Sequence, residues 1–205
     1  MIEVNLDMSP SAILNFYQNI HAGFLHANGE KGTAFLMDQL QLKGEERVLE
    51  IGFGTGASLV KFKSRFPGID LMGLEASWEM MERARKRLAF CGLGGAVQLS
   101  HISEAKEWGA AQFDLVYIES VLAILNKTDL EASLQMIWRL LKPGALLALN
   151  ESIWLKDISL EEIQRINRYC EEVFGIIQCN EVFRNRDAAV NWLQDQGFSL
   201  QFDQR

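Results

Sequence analysis

Three glycines at alternate positions, Gly52, Gly54 and Gly56, follow directly on an apolar, β-favouring run that ends at Ile51. A helix-competent stretch over 57–66 begins at once. A strand, a tight turn and a helix in immediate succession form the opening unit of a nucleotide-binding α/β sheet. Glycine is needed where the backbone turns sharply or must approach a ligand, because a Cβ would collide. The helix start beyond the turn offers free N–H groups to a polar or anionic ligand. Glu50 narrows the choice. An acid two residues before the first glycine repels a pyrophosphate and suits a ligand that is positive at that place.

The remaining pattern alternates in the same way. Residues 69–74 predict a second strand, with Glu75 at its C-terminal end, where an acid accepts ribose hydroxyls in dinucleotide-binding sheets. Ser77 can cap a helix over 78–91, with Gly92 beyond it. Residues 96–100 predict a third strand. Residues 113–118 predict a fourth, apolar throughout as a central strand should be, and Glu119-Ser120-Val121 follows it. Thr128-Asp129-Leu130-Glu131 reads as a capping box for a helix that turns Leu130, Leu134, Ile137 and Leu141 inward. Leu141-Lys142-Pro143-Gly144 stops that helix and aims the chain into a strand over 146–150. Ser159-Leu160-Glu161-Glu162 is a second capping box. Its helix carries Ile163, Ile166, Tyr169, Cys170, Val173 and Phe174 on one face. A last helix over 187–196 and a sixth strand over 198–202 complete the count. At the other end, Ser9-Pro10 starts a helix with Ile13, Phe16, Tyr17 and Ile20 on one stripe. A loop over 21–32 and a helix over 33–41 lead to the first strand.

The spacing E-x-G-x-G-x-G from Glu50, the acid Glu75, the apolar fourth strand and Leu-Lys-Pro-Gly before the fifth resemble the class I S-adenosylmethionine-dependent methyltransferases over about residues 45–202. The resemblance is to their broad small-molecule branch. It implies a single domain, a three-layer α/β/α sandwich of Rossmann-like form with a mostly parallel sheet. Within it, 1–44 would be a helical lid, 45–150 the cofactor-binding core, 151–190 an insertion shaping the acceptor pocket, and 191–205 the last helix and strand. It also implies S-adenosylmethionine as cofactor and S-adenosylhomocysteine as product. The cofactor shell carried over is Tyr17, Glu50, Gly52, Phe53, Gly54, Gly56, Glu75, Ala76, Ile102, Ser103 and Glu119. Tyr17, Phe24 and His26 would face the cleft from the lid, and Glu151, Trp154, Phe183 and Arg184 are pocket candidates.

Three departures from the family pattern stand out. His101-Ile102-Ser103-Glu104 replaces the frequent Gly-Asp after the third strand. No Asn/Asp-Pro-Pro run follows the fourth strand, which argues against adenine or glutamine N-methylation. The family's last, antiparallel strand has no sequence left to form it. The fifth strand would then keep an open edge for strand 6 or for a partner, such as a second copy in a homodimer.

Methyl transfer from a sulfonium is an in-line displacement, so orientation supplies most of the acceleration. A base is needed only if the nucleophile starts protonated; His26 and Glu119 are the candidates. No metal-ligand cluster, catalytic triad or reactive-cysteine motif is visible, and Cys91, Cys170 and Cys179 form no CxxC pair. A net charge of −7 without a Lys/Arg run argues against nucleic acid as the acceptor. No stretch is apolar for long enough to span a membrane, and the N-terminus lacks a secretory pattern, so a cytoplasmic protein is expected. Gly52, Gly54 and Ala57 also satisfy G-x-G-x-x-A, which with Glu75 would suit an NAD-dependent oxidoreductase. Glu50 and Leu-Lys-Pro-Gly favour methyl transfer over it. A non-catalytic S-adenosylmethionine-binding domain, serving as a partner subunit, is the other alternative.

Overall fold

The computed structural model describes residues 23–24, 28–154 and 158–202. The elements run α1 (Gly29–Gln39), β1 (Arg47–Ile51), α2 (Ala57–Arg65), β2 (Asp70–Glu75), α3 (Trp78–Phe90), β3 (Val97–His101), β4 (Phe113–Glu119), α4 (Lys127–Leu140), β5 (Leu141–Asn150), α5 (Leu160–Phe174) and α6 (Arg186–Asp195). The expected helix after Ser9-Pro10 lies outside the described residues. The strands form one sheet in the order β3-β2-β1-β4-β5, with every ladder parallel. The order reverses between β1 and β4. In open α/β sheets a ligand crevice lies at that reversal, outside the carboxyl ends of the strands.

Strand alternation sorts the core into two layers. Val48, Leu71, Leu115 and Tyr117 turn to one face, where Met37, Leu59, Phe62, Met81 and Leu88 cover them. Leu49, Ile51, Leu74, Val116 and Ile118 turn to the other, against Leu130, Leu134, Ile137, Leu140 and Phe183. The result is the expected three-layer α/β/α sandwich. Glu50, two residues after Val48, falls on the α1–α2–α3 face.

Several local expectations are corrected. Helix α1 starts at Gly29 rather than Thr33, behind Asn28 in the left-handed region at φ 60°. Helix α4 is capped by Asn126, whose side chain accepts from the Asp129 N–H at 3.0 Å, so Thr128 lies inside the first turn. Strand β5 begins at Leu141 and absorbs Lys142-Pro143-Gly144, with a register irregularity opposite Phe113 and Leu115. Proline is tolerated there because β5 is an edge strand. Lys142 also donates to both carboxylate oxygens of Asp114 at 2.8 Å, which fastens the turn to β4. The predicted apolar face of α5 reaches the core only at Ile163; Tyr169, Val173 and Phe174 are exposed. Periodicity sets a helix face, not what that face meets.

Residues 198–202, expected as a strand, join no ladder. Side-chain packing holds them instead. Phe198 meets Trp138 edge-on at 4.9 Å, and Phe202 meets Phe35 at 6.1 Å. Among the described residues, no helix is long and apolar enough to cross a membrane.

Candidate functional site

The carboxyl ends of β1, β2 and β4 bring together most of the residues expected from sequence. The glycine turn leaves β1 with Gly52, Gly54 and Gly56 all at positive φ, 74°, 53° and 78°. Two of these also answer to packing. A Cβ on Gly52 would sit 2.3 Å from the Val121 side chain, and one on Gly56 would sit 2.9 Å from the Ala84 Cβ. Gly54 differs: a Cβ there would meet nothing within 4 Å, so its face of the turn is open. The Phe53 ring is buried and lies over Gly73, so Phe53 presents only its backbone to the cleft.

Glu75 ties this turn to β2. One carboxylate oxygen accepts from the Gly54 N–H at 2.8 Å, and the other accepts from Ala76 and Ser77 at 2.9 and 3.0 Å. Burial raises its pKa, against the lowering effect of the three N–H bonds. Glu50 is only 3% exposed. One of its oxygens accepts from the Ser58 hydroxyl; the other is buried without a partner among the described residues. Burial, followed by the neighbouring Glu119 and Glu75 charges, outweighs the Ser58 bond and pushes the Glu50 carboxyl up to about 8.

Glu119 closes the cleft from β4. Thr33 of α1 donates to it at 2.9 Å, and the Asn150 amide of β5 donates at 2.9 Å. The chain then turns through Ser120, a non-glycine at φ 53°, a strained conformation of the kind that collects at functional sites. Glu151 accepts from the N–H groups of Val121, Leu122 and Ala123. Burial carries its carboxyl to about 7 even so. Its role is therefore to cap the turn behind Glu119. Trp154 donates its indole N–H to the Cys179 carbonyl at 2.9 Å, and Phe183 is core. Arg184 is exposed.

The region after β3 is built around His101, which the sequence reading passed over. Its Nε2 lies 2.8 Å from the Ala76 carbonyl, which can only accept, so Nε2 carries the proton. Nδ1 then accepts from Ser103, whose hydroxyl is 2.7 Å away. Trp78 stacks on the His101 ring at 4.4 Å while remaining 61% exposed. Ile102 and Ser103 open a 3₁₀ turn over Ile102–Glu107, and Ile102 is half-buried against the core. Tyr17 and His26 lie outside the described residues. Thr33, Ser58 and Asn150 were also missed. Each is a small polar residue in an ordinary helix or strand pattern, and only its contact across the fold marks it. Among the described residues, no three His, Cys, Asp or Glu side chains are grouped to hold a metal ion.

Comparison with known proteins bears on this geometry. Residues 48–144 match a family model described as a methyltransferase domain. The chain is 28% identical over 141 residues to phosphoethanolamine N-methyltransferase 3 of Arabidopsis thaliana, covering 68% of this chain and 28% of that protein. It is 30% identical over 137 residues to trans-aconitate 2-methyltransferase of Methylobacterium radiotolerans, covering 66% of this chain and 48% of that one. The chain thus spans less than half the length of these relatives. Its fold is shared with a Thiobacillus denitrificans S-adenosylmethionine-dependent methyltransferase solved with S-adenosylhomocysteine, at a TM-score of 0.59 and 22% identity over 74% of this chain and 60% of that one.

Proposed function

We infer methyl transfer from one premise: the chain belongs to the class I S-adenosylmethionine-dependent methyltransferase family. The proposed reaction carries the cofactor's methyl group to a small-molecule acceptor by in-line displacement and leaves S-adenosylhomocysteine. One observation carries the assignment of the site. At the reversal of strand order, the open face of Gly54 stands beside the Glu75 carboxylate, and Glu50 keeps a buried oxygen that has no partner among the described residues. Such a set suits ribose hydroxyls next to a positively charged group, which is what S-adenosylmethionine presents.

The cofactor supplies a methyl group already activated by its positive sulfur. The chain's part is to bind and orient. Glu75 accepts the ribose hydroxyls, and the Gly52–Gly54 backbone lines the approach. Ala76, Ile102 and Ser103 border the adenine. Glu119, held by Thr33 and Asn150, is the group placed to take a proton from an acceptor that arrives protonated. Orientation of this kind is worth about 7–11 kcal/mol in well-aligned systems. The net charge of −7 supports a small-molecule acceptor over a nucleic acid. Three free cysteines are in keeping with a cytoplasmic location.

The test is calorimetric titration with S-adenosylmethionine, S-adenosylhomocysteine and, as control, NADH. Binding of the first two without NADH supports the proposal. An acceptor screen then starts from phosphoethanolamine and trans-aconitate, the molecules named in the relatives. Binding of NADH alone would overturn it. Cofactor binding with no turnover on any acceptor would favour a non-catalytic domain.

A further inference from the structure

We propose that the outward face of α5 is an interface between two copies of this chain, packed antiparallel about a twofold axis. The interface uses none of the residues assigned to the cofactor and does not depend on that assignment.

Helix α5 meets the body of the protein through one buried apolar residue, Ile163, and a set of polar bonds. Asn167 donates to the Cys179 carbonyl at 2.8 Å and accepts from the Gln178 and Cys179 N–H groups at 3.0 and 3.2 Å. Gln164 donates to Glu181 at 2.9 Å. Ile163, Gln164 and Asn167 thus mark the side turned inward. Residues three and four apart share a helix face, so Ile166, Tyr169 and Val173 form a stripe turned away from Gln164 and Asn167. Ile166 is half-buried, whereas Tyr169 is 60% and Val173 64% exposed. These two side chains add almost nothing to the packing of a single copy. A contiguous apolar stripe left in water, rimmed by charged residues, marks an interaction surface.

The charges beside the stripe name the partner. Arg165 and Glu172 are both exposed and flank it on the same side, about two turns apart. A second α5 running parallel would set Arg165 against Arg165 and Glu172 against Glu172. One running antiparallel sets Arg165 of each copy against Glu172 of the other, twice over by symmetry. The axis then passes near residues 168–169, with Tyr169 at the centre and Ile166 and Val173 to either side. Glu162 does not oppose this pairing, because its carboxylate is turned back onto the Ser159 cap. A membrane surface fits the face less well. Interfacial helices carry Lys and Arg around their apolar side, whereas α5 sets Glu161, Glu162, Glu171 and Glu172 against Arg165 and Arg168 in a chain of net charge −7. A single helix stripe lies at the low end of interface size, so the dimer is weak and reversible.

The experiment is analytical ultracentrifugation of the intact chain from about 1 to about 500 μM. The average mass should rise from one chain toward two, with a dissociation constant on the order of 10–100 μM. Tyr169→Ser combined with Val173→Ser should weaken the dimer by more than about tenfold. The melting temperature of the dilute, monomeric chain should stay unchanged, because both side chains are exposed in a single copy. Arg165→Glu should weaken the dimer by about threefold to tenfold, and adding Glu172→Arg should restore it, which a non-specific apolar contact would not do. A mass of one chain at every concentration would overturn the proposal. So would a dimer indifferent to the Tyr169 and Val173 substitutions, or an Arg165→Glu loss that Glu172→Arg does not repair. Vesicles of phosphatidylcholine and phosphatidylglycerol provide the remaining arm. Flotation of a monomeric chain with them, lost on Tyr169→Ser and Val173→Ser, would assign the face to a membrane and reject the dimer.

Discussion

At the scale of single residues, the cleft is a set of carboxylates given different tasks by their neighbours. Glu75 is oriented by Gly54, Ala76 and Ser77, which take three of its about four lone-pair sites and leave one, on the oxygen that Gly54 holds, for a further donor. Glu75→Ala removes charge-assisted bonds worth about 1.5–3 kcal/mol, and cofactor affinity should fall more than about tenfold by calorimetry. A smaller loss would remove Glu75 from the ribose role. Glu50 makes the opposite case. Its folded carboxyl lies near 8 against 4.5 for the ordinary side chain. The stability contributed by its protonated form is fully present below about 4.5 and is lost as pH rises through about 8. Glu50→Gln has no such proton to lose. In urea unfolding of the ligand-free chain, the variant should therefore gain on the native protein between pH 5 and pH 8, by on the order of 3 kcal/mol. A constant difference across that range would mean that Glu50 is charged in the empty protein.

Among the elements, the turn from β1 into α2 separates folding from binding within three glycines. Gly52 and Gly56 are confined by Val121 and Ala84, whereas Gly54 faces open space. Gly52→Ala should lower stability by about 2 kcal/mol or more, since it adds a collision to an unfavourable φ. Gly54→Ala meets only the φ cost of about 1 kcal/mol. Its Cβ enters the space assigned to the cofactor, so affinity should drop far more than thermal stability. Equal losses in both variants would argue that nothing binds at Gly54. The turn after β4 follows the same logic. Ser120 takes a strained φ so that Glu119 can face the cleft while Val121 packs over Gly52.

Across the whole molecule, the cleft is closed from behind by chain that lies far away in sequence. Asn180 is buried, donates to the Leu122 and Leu125 carbonyls at 2.7 and 3.1 Å, and accepts from the Val182 N–H at 3.1 Å. Its backbone N–H donates to Ala123. Asn180→Ala leaves two buried carbonyls short of a donor, and urea unfolding should lose about 2–3 kcal/mol. A loss below about 0.5 kcal/mol would mean that residues 176–183 are not part of the cooperative unit. The alternation of strands and helices, the glycine turn with its acid, and the ends of β2 and β4 were all legible in the sequence, because backbone sterics and burial periodicity are local properties. Glu50, Glu75 and Glu119 could be named for the same reason: Glu75 and Glu119 end apolar strands, and Glu50 stands two residues before the first glycine of the turn. Local pattern could not tell which side chains complete the site. Thr33, Ser58, Asn150 and His101 acquire their roles through contacts across the fold, and Phe53 loses a side-chain role by packing over Gly73. Nor could it show that the chain after residue 197 would be held by Trp138 and Phe35 rather than by a ladder. A strand exists only where a neighbour's N–H and C=O groups meet it, and that meeting is decided by the tertiary structure.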